Sequence, residues 1–153
     1  MHSSGEENIM IDKIDHLAIV VSDLEKSMDF YGKALGFEEI LRFDSKLPGI
    51  KRISFMEKAG GVIELIELDD TKDFVDDPAM PGFKHLCVAV TDFDSDYERM
   101  KGMGVKVLEE PHVLNKEHLT TTLSRIDVNM KKGLKRAVFA DPDGLPLEIM
   151  QWL

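Results

Sequence analysis

Four runs of the chain, DHLAIVV from Asp15, GVIELIEL from Gly61, KHLCVAV from Lys84 and LPLEIMQW from Leu145, are short and mostly apolar. They read as strands, in which successive side chains face opposite ways. His16 and His85 open two of them, and an Asp follows each His by seven residues, Asp23 and Asp92. Each Asp stands where a helix N-cap belongs, and the stretch behind it ends at a Gly, Gly36 or Gly104, as a left-handed C-terminal cap would. An apolar-rich run follows each Gly. The later segments repeat as well: KRISF (Lys51 to Phe55) pairs with KRAVF (Lys135 to Phe139), and Arg52 precedes Glu64 by twelve residues, as Arg136 precedes Glu148. The last turn is KAGG in one copy and DPDG in the other; Asp141, Pro142 and Gly144 occupy type I turn positions.

The pattern predicts an α+β chain built from two βαβββ modules, residues 12–70 and 82–153, forming one domain behind a disordered tail at 1–11. The two His are 69 residues apart and the two Glu 84, so the second copy carries an insertion of about fifteen residues, within Glu109 to Leu134.

His16, Glu64, His85 and Glu148 stand out because they are polar, repeated and set in apolar strands. A carboxylate in such a strand is costly to bury without a partner. If the copies fold about a pseudo-twofold axis, equivalent residues face each other and the four converge. Two imidazoles and two carboxylates make a divalent-metal site suited to Zn, Ni, Co, Mn or Fe. An octahedral ion would keep two open positions there, as catalysis requires. Such a cation is the expected partner of Glu148. His112 and His118 fall in the insertion without counterparts and read as loop residues; His2 belongs to the tail.

Charge and composition narrow the partners. Lys plus Arg number 19 against 29 Asp plus Glu, a net charge of −10, which disfavours nucleic acid and anionic membranes. No apolar run approaches the roughly 20 residues of a membrane-spanning helix, and the first ten residues lack signal-peptide character. A single cysteine, Cys87, excludes an intramolecular disulfide and suggests a reducing cytoplasm.

The segments DHLAIVVSDLEKSMDFYGKALGF, GVIELIEL, KHLCVAVTDFD and KRAVFADPDGLPLEIMQ resemble the vicinal oxygen chelate superfamily: glyoxalase I, methylmalonyl-CoA epimerase, fosfomycin- and bleomycin-resistance proteins and extradiol dioxygenases. The resemblance is nearest to bacterial lactoylglutathione lyase-like proteins. It implies that the two modules form an open, cup-shaped barrel around one divalent metal. It also implies a small-molecule substrate with adjacent oxygens, and a homodimer. The glyoxalase I ligand positions fall on His16, Glu64, His85 and Glu148. The fourth ligand, Glu64, sets the chain apart from the three-ligand dioxygenases and fosfomycin-resistance proteins.

The implied reaction is a lyase or isomerase step, a proton moved next to a carbonyl through a metal-stabilised enediolate. Glu148 and Glu64 are the candidate bases, Glu148 the preferred one. Zn, Ni, Co or Mn fits that chemistry; Fe would point to a dioxygenase. The alternatives are a methylmalonyl-CoA epimerase-like enzyme, a small-molecule binding or resistance protein, and an extradiol dioxygenase. Val20 and Leu68 stand where bacterial glyoxalase I carries glutathione contacts, and the short DPDG turn replaces the longer turn of the epimerase. Arg125 and Lys131, in the insertion, are candidates to meet an acidic substrate, with the insertion as a flap or as a surface loop packing a dimer. Arg52 and Arg136 are expected to brace strands.

Overall fold

The computed structural model describes residues 12–77, 79–115, 117–118 and 131–153. The first module runs β1 (Leu17–Val21), α1 (Leu24–Leu35), β2 (Glu38–Asp44), β3 (Ile50–Lys58) and β4 (Gly61–Leu68). The second runs β5 (Leu86–Ala89), α2 (Phe93–Gly102), β6 (Val107–Leu114), β7 (Leu134–Ala140) and β8 (Pro146–Trp152). Both helices start as the sequence anticipates. The Asp23 carboxylate accepts from the Lys26 amide, and Asp92 accepts from Ser95. Gly36 (φ 71°) closes α1, and Gly104 (φ 77°) follows Met103 at the end of α2, both in the left-handed region where a Cβ is penalised.

The strands form two four-stranded sheets, ordered β1-β4-β3-β2 and β5-β8-β7-β6. In each, the first strand runs parallel to the last and the other pairings are antiparallel. This is the expected α+β repeat. One face of each sheet carries its helix. Val21, Leu24, Tyr31 and Leu65 are fully buried in the first module, and Met100, Ala137, Phe139 and Ile149 in the second. The other face of the first sheet is apolar but open: Val20, Leu41 and Phe43 are 50%, 52% and 42% exposed.

The modules meet through α1. Arg99 of α2 donates to the carbonyls of Lys33 and Ala34 at the end of α1. The buried Tyr31 hydroxyl donates to Asp141 in the last turn, at 3.0 Å, and the Ser22 amide donates to Asp143. Asp141 also accepts from the amides of Asp143 and Leu145, and the Gly144 amide returns to its carbonyl. The DPDG segment is therefore both a turn and the latch between modules.

Two details depart from the sequence reading. First, the opening part of 109–134 is strand. Glu109 to Leu114 belong to β6, so His112 is a strand residue and not a loop one. The extra length lies between β6 and β7, where residues 115–133 stand against residues 45–49 in the first module. Second, KRISF and KRAVF are offset by one residue. Glu64 is paired with Phe55, whereas Glu148 is paired with Val138. Matching the glutamates therefore places Ile53, not Arg52, opposite the role of Arg136. The cause is the turns: two residues, Ala59 and Gly60, join β3 to β4, but residues 141–145 join β7 to β8.

Candidate functional site

The register sets the site. β1 pairs with β4 so that Ala18 lies opposite Glu64, and β5 pairs with β8 so that Cys87 lies opposite Glu148. Each His stands two residues before that partner and shares its face. The result is the same in both modules: His16 Nε2 is 3.2 Å from Glu64 Oε2, and His85 Nε2 is 3.2 Å from Glu148 Oε2. The glutamates are the shielded members, with side chains 15% and 10% exposed.

The structure thus brings the four residues together two by two. Among the described residues, no three His, Cys, Asp or Glu side chains form one group able to hold an ion. The donor atoms fit a metal as half-sites. Bonds of roughly 2.0–2.2 Å from one cation to an imidazole nitrogen and a carboxylate oxygen leave those atoms about 3 Å apart when they are neighbours in its coordination shell. The orientation of His16 fits too. Its Nδ1 faces Asp15 Oδ2 at 2.9 Å, an outer carboxylate that leaves Nε2 turned to Glu64. With a carboxylate at both nitrogens, the imidazolium is favoured: the hydrogen bond to Asp15 raises the His16 pKa above its ordinary value, burial opposes it and the Glu64 charge adds to it. Phe55 packs edge-on against the ring, 5.3 Å between centroids.

The two half-sites differ in one residue. Arg136 grips Glu148 through both oxygens, Nε to Oε1 at 3.0 Å and Nη2 to Oε2 at 3.0 Å. Its Nη1 donates to Glu109 Oε2 at 2.7 Å and to His112 Nε2 at 3.2 Å. The cation that the buried Glu148 demands is, within one chain, this guanidinium. Among the described residues no arginine reaches Glu64: Arg52 donates to Glu67 and Glu25 instead. Arg136 and His112 are functional candidates that the sequence pattern undervalued. Burial, with the Glu148 charge adding, pushes the thiol of Cys87, beside Glu148, up to about 11.

A cavity of about 240 Å³ lies beside His85, walled by Ala18, Val20, Phe74, Phe83 and Leu145, with Asp143 at its edge. A larger cleft of about 580 Å³ between the modules contains none of the four candidate ligands among its lining residues. Arg125 lies outside the described residues, as does the tail at 1–11. Lys131 is exposed in the turn before β7.

Residues 13–149 match the model of the Glyoxalase/Bleomycin resistance protein/Dioxygenase superfamily, and the chain belongs to that family. It is 29% identical over 143 residues to the uncharacterized protein YwkD of Bacillus subtilis, covering 94% of this chain and 99% of that one. It is 29% identical over 140 residues to a probable lactoylglutathione lyase of Synechocystis, covering 89% and 92%. A crystal structure of a glyoxalase family protein from Enterococcus faecalis superimposes with a TM-score of 0.68 at 24% identity, over 91% of this chain and 97% of the other, and shares the fold.

Proposed function

We propose that the chain is a metal-dependent lyase or isomerase of the glyoxalase I type, acting as a homodimer. Each site would combine His16 and Glu64 of one copy with His85 and Glu148 of the other. The observation that carries this reading is the matched 3.2 Å His–Glu pair in each module, two ligands short of a complete set. The open apolar face formed by Val20, Leu41 and Phe43 supports a covering second copy. A divalent ion bound there would act as a Lewis acid on a substrate carbonyl.

The protein's own groups supply the rest. The two imidazoles fix the ligand geometry. Glu64 and Glu148 offer carboxylates that take a proton from the carbon beside the carbonyl and return it to the neighbouring one. The apolar cavity walls, with Phe55 packed against His16, would keep water from the reacting carbons. The cavity beside His85 suits an apolar substituent, and Asp143 at its edge opposes an anionic one. With Val20 in the cavity wall and Leu68 at the other position expected to contact glutathione, neither of them polar, a thiol adduct less anionic than that of glutathione is favoured. The reducing cytoplasm, suggested by the lone Cys87, is the proposed setting.

A second reading, a small-molecule binding protein of the same fold, is favoured by one observation: Arg136 already neutralises Glu148. Elemental analysis of the gently purified protein, followed by isomerisation assays on hemithioacetals of several thiols, separates the two. The enzyme reading expects near one equivalent of Zn, Ni, Co or Mn per chain and activity abolished by chelation. Iron would favour a dioxygenase. No metal, and none taken up on addition, would leave the binding protein.

A further inference from the structure

We propose that the cleft between the two modules is a second ligand site, separate from the candidate metal site, and that it takes an amphipathic small molecule, a carboxylate on an aliphatic body.

The cleft holds about 580 Å³, within the roughly 300–1,000 Å³ of small-ligand pockets. Leu35 and Leu86 both line it and pack against both hydrophobic cores, so it is the seam where the modules meet. Phe37 from the first module and Val88 and Met100 from the second extend its apolar wall. Protein interiors are otherwise close-packed, and a gap of this size along an apolar seam leaves its lining short of contacts that an aliphatic chain would supply. None of His16, Glu64, His85 or Glu148 lines it, so a ligand there needs no metal.

Two polar features give the ligand its head group. The first is Lys58. A Cβ added at Gly36 would lie 3.4 Å from Lys58 Nζ, so the ammonium rests over the end of α1. Among the described residues Lys58 has no carboxylate partner, in a chain of net charge −10. The other two charges in the lining offset each other: Arg99 Nη2 donates to Asp96 Oδ1 at 2.9 Å, and Arg99 is also committed to the carbonyls of Lys33 and Ala34. The lining thus keeps one uncompensated positive charge.

The second feature is the free edge of β5, the last strand of its sheet. The Val90 amide donates to the Met150 carbonyl of β8. Backbone groups of successive strand residues point to opposite sides, so Leu86 and Val88 also turn to β8, and Cys87 and Ala89 turn their amides to the free edge. Leu86 to Thr91 line the cleft without a gap, as the edge of a strand does and its face does not. Amide donors beside an apolar wall need an acceptor, and with Lys58 they favour an anionic one. At four residues β5 is short for a template on which a peptide strand would add.

Calorimetric titration tests this on the full chain in the presence of a chelator, with hexanoate, octanoate, decanoate and the uncharged octan-1-ol. Wild type is compared with Lys58→Met, Val88→Phe and Val20→Ser. One carboxylate is expected to bind per chain, with affinity rising about threefold per added methylene. Lys58→Met should weaken octanoate about fivefold, the scale of one partly exposed charge pair, and leave octan-1-ol unchanged. Val88→Phe adds bulk to the wall and should weaken decanoate most. Val20→Ser alters the cavity beside His85 and should match wild type. Lys58 is exposed, so its variant carries the test where Val88→Phe does not fold. No binding by wild type would overturn the proposal, as would octanoate affinity indifferent to Lys58→Met. Binding lost in Val20→Ser and kept in Val88→Phe would also overturn it, by putting the ligand beside His85.

Discussion

Arg136 holds both oxygens of Glu148 at 3.0 Å, across a hairpin whose counterpart in the first module puts an isoleucine at the same place. Two modules built on one plan thus present the same His–Glu pair in two electrostatic settings. The first keeps an arginine, Arg52, but spends it on the helix face of the sheet, where Glu67 is 5% exposed.

That difference gives a contrast in stability. Glu67 is held by Arg52 at 2.7 Å and by the more exposed Lys51 at 3.1 Å. Arg52→Met leaves a shielded carboxylate with one partner in place of two. The expected cost is about 2 kcal/mol by chemical denaturation, below the full penalty for orphaning a buried charge because Lys51 remains. Metal uptake should be unaffected. A variant as stable as wild type would show the pair to be ornamental.

The latch between modules makes a pH-dependent prediction. Burial raises the Asp141 pKa above its ordinary value, although the Leu145 amide, the Tyr31 hydroxyl and the Asp143 amide oppose it. An acid whose pKa is raised on folding binds more protons folded than unfolded, so its contribution falls as pH rises from the ordinary carboxylate value through the raised one. Asp141→Asn removes that dependence. The difference in Tm, variant minus wild type, should therefore be more favourable to the variant at pH 7 than at pH 4. A pH-independent difference, or one that grows in acid, would contradict this.

Tyr31→Phe tests the same latch from the other side. It removes a buried hydroxyl 3.0 Å from Asp141 without changing the ring. The expected loss is about 1.5–3 kcal/mol, the range for a hydrogen bond to a charged group. Equilibrium urea unfolding would read it as a lower midpoint at an unchanged m-value.

Gly133, at the base of the β6–β7 connection, is fixed by two separate constraints. Its φ is +81°, and a Cβ built there would lie 2.0 Å from the Leu114 carbonyl oxygen, which is backbone and cannot swing away. Gly133→Ala should cost 2 kcal/mol or more, about what a strained backbone position plus a local shift requires. A thermal melt matching wild type would show that the connection is free to move aside.

The repeat, its capping residues and the four candidate ligands were legible in the sequence because strand alternation and helix caps are local. His16 and Glu64, and His85 and Glu148, did meet as pairs. The offset between KRISF and KRAVF was not legible, since the twelve-residue spacing is identical and only the turn lengths differ. Equal spacing therefore casts Arg136 as the twin of Arg52 and hides it as the partner of Glu148. His112 reads as a loop residue in the sequence because β6 ends in a polar stretch with little alternation, EEPHVL. In the proposed dimer, the combination of the two pairs would depend on contacts between chains, which no intrachain pattern encodes.

In the proposed dimer, one site is made from the first module of one copy and the second module of another. A chain carrying His16→Ala and Glu64→Gln should bind no Co2+, and neither should a chain carrying His85→Ala and Glu148→Gln. Co-expressed, they should form mixed dimers in which one of the two sites is intact, and Co2+ bound per chain should recover to about a quarter of wild type for random pairing. No recovery from dimers shown to be mixed would contradict a shared site.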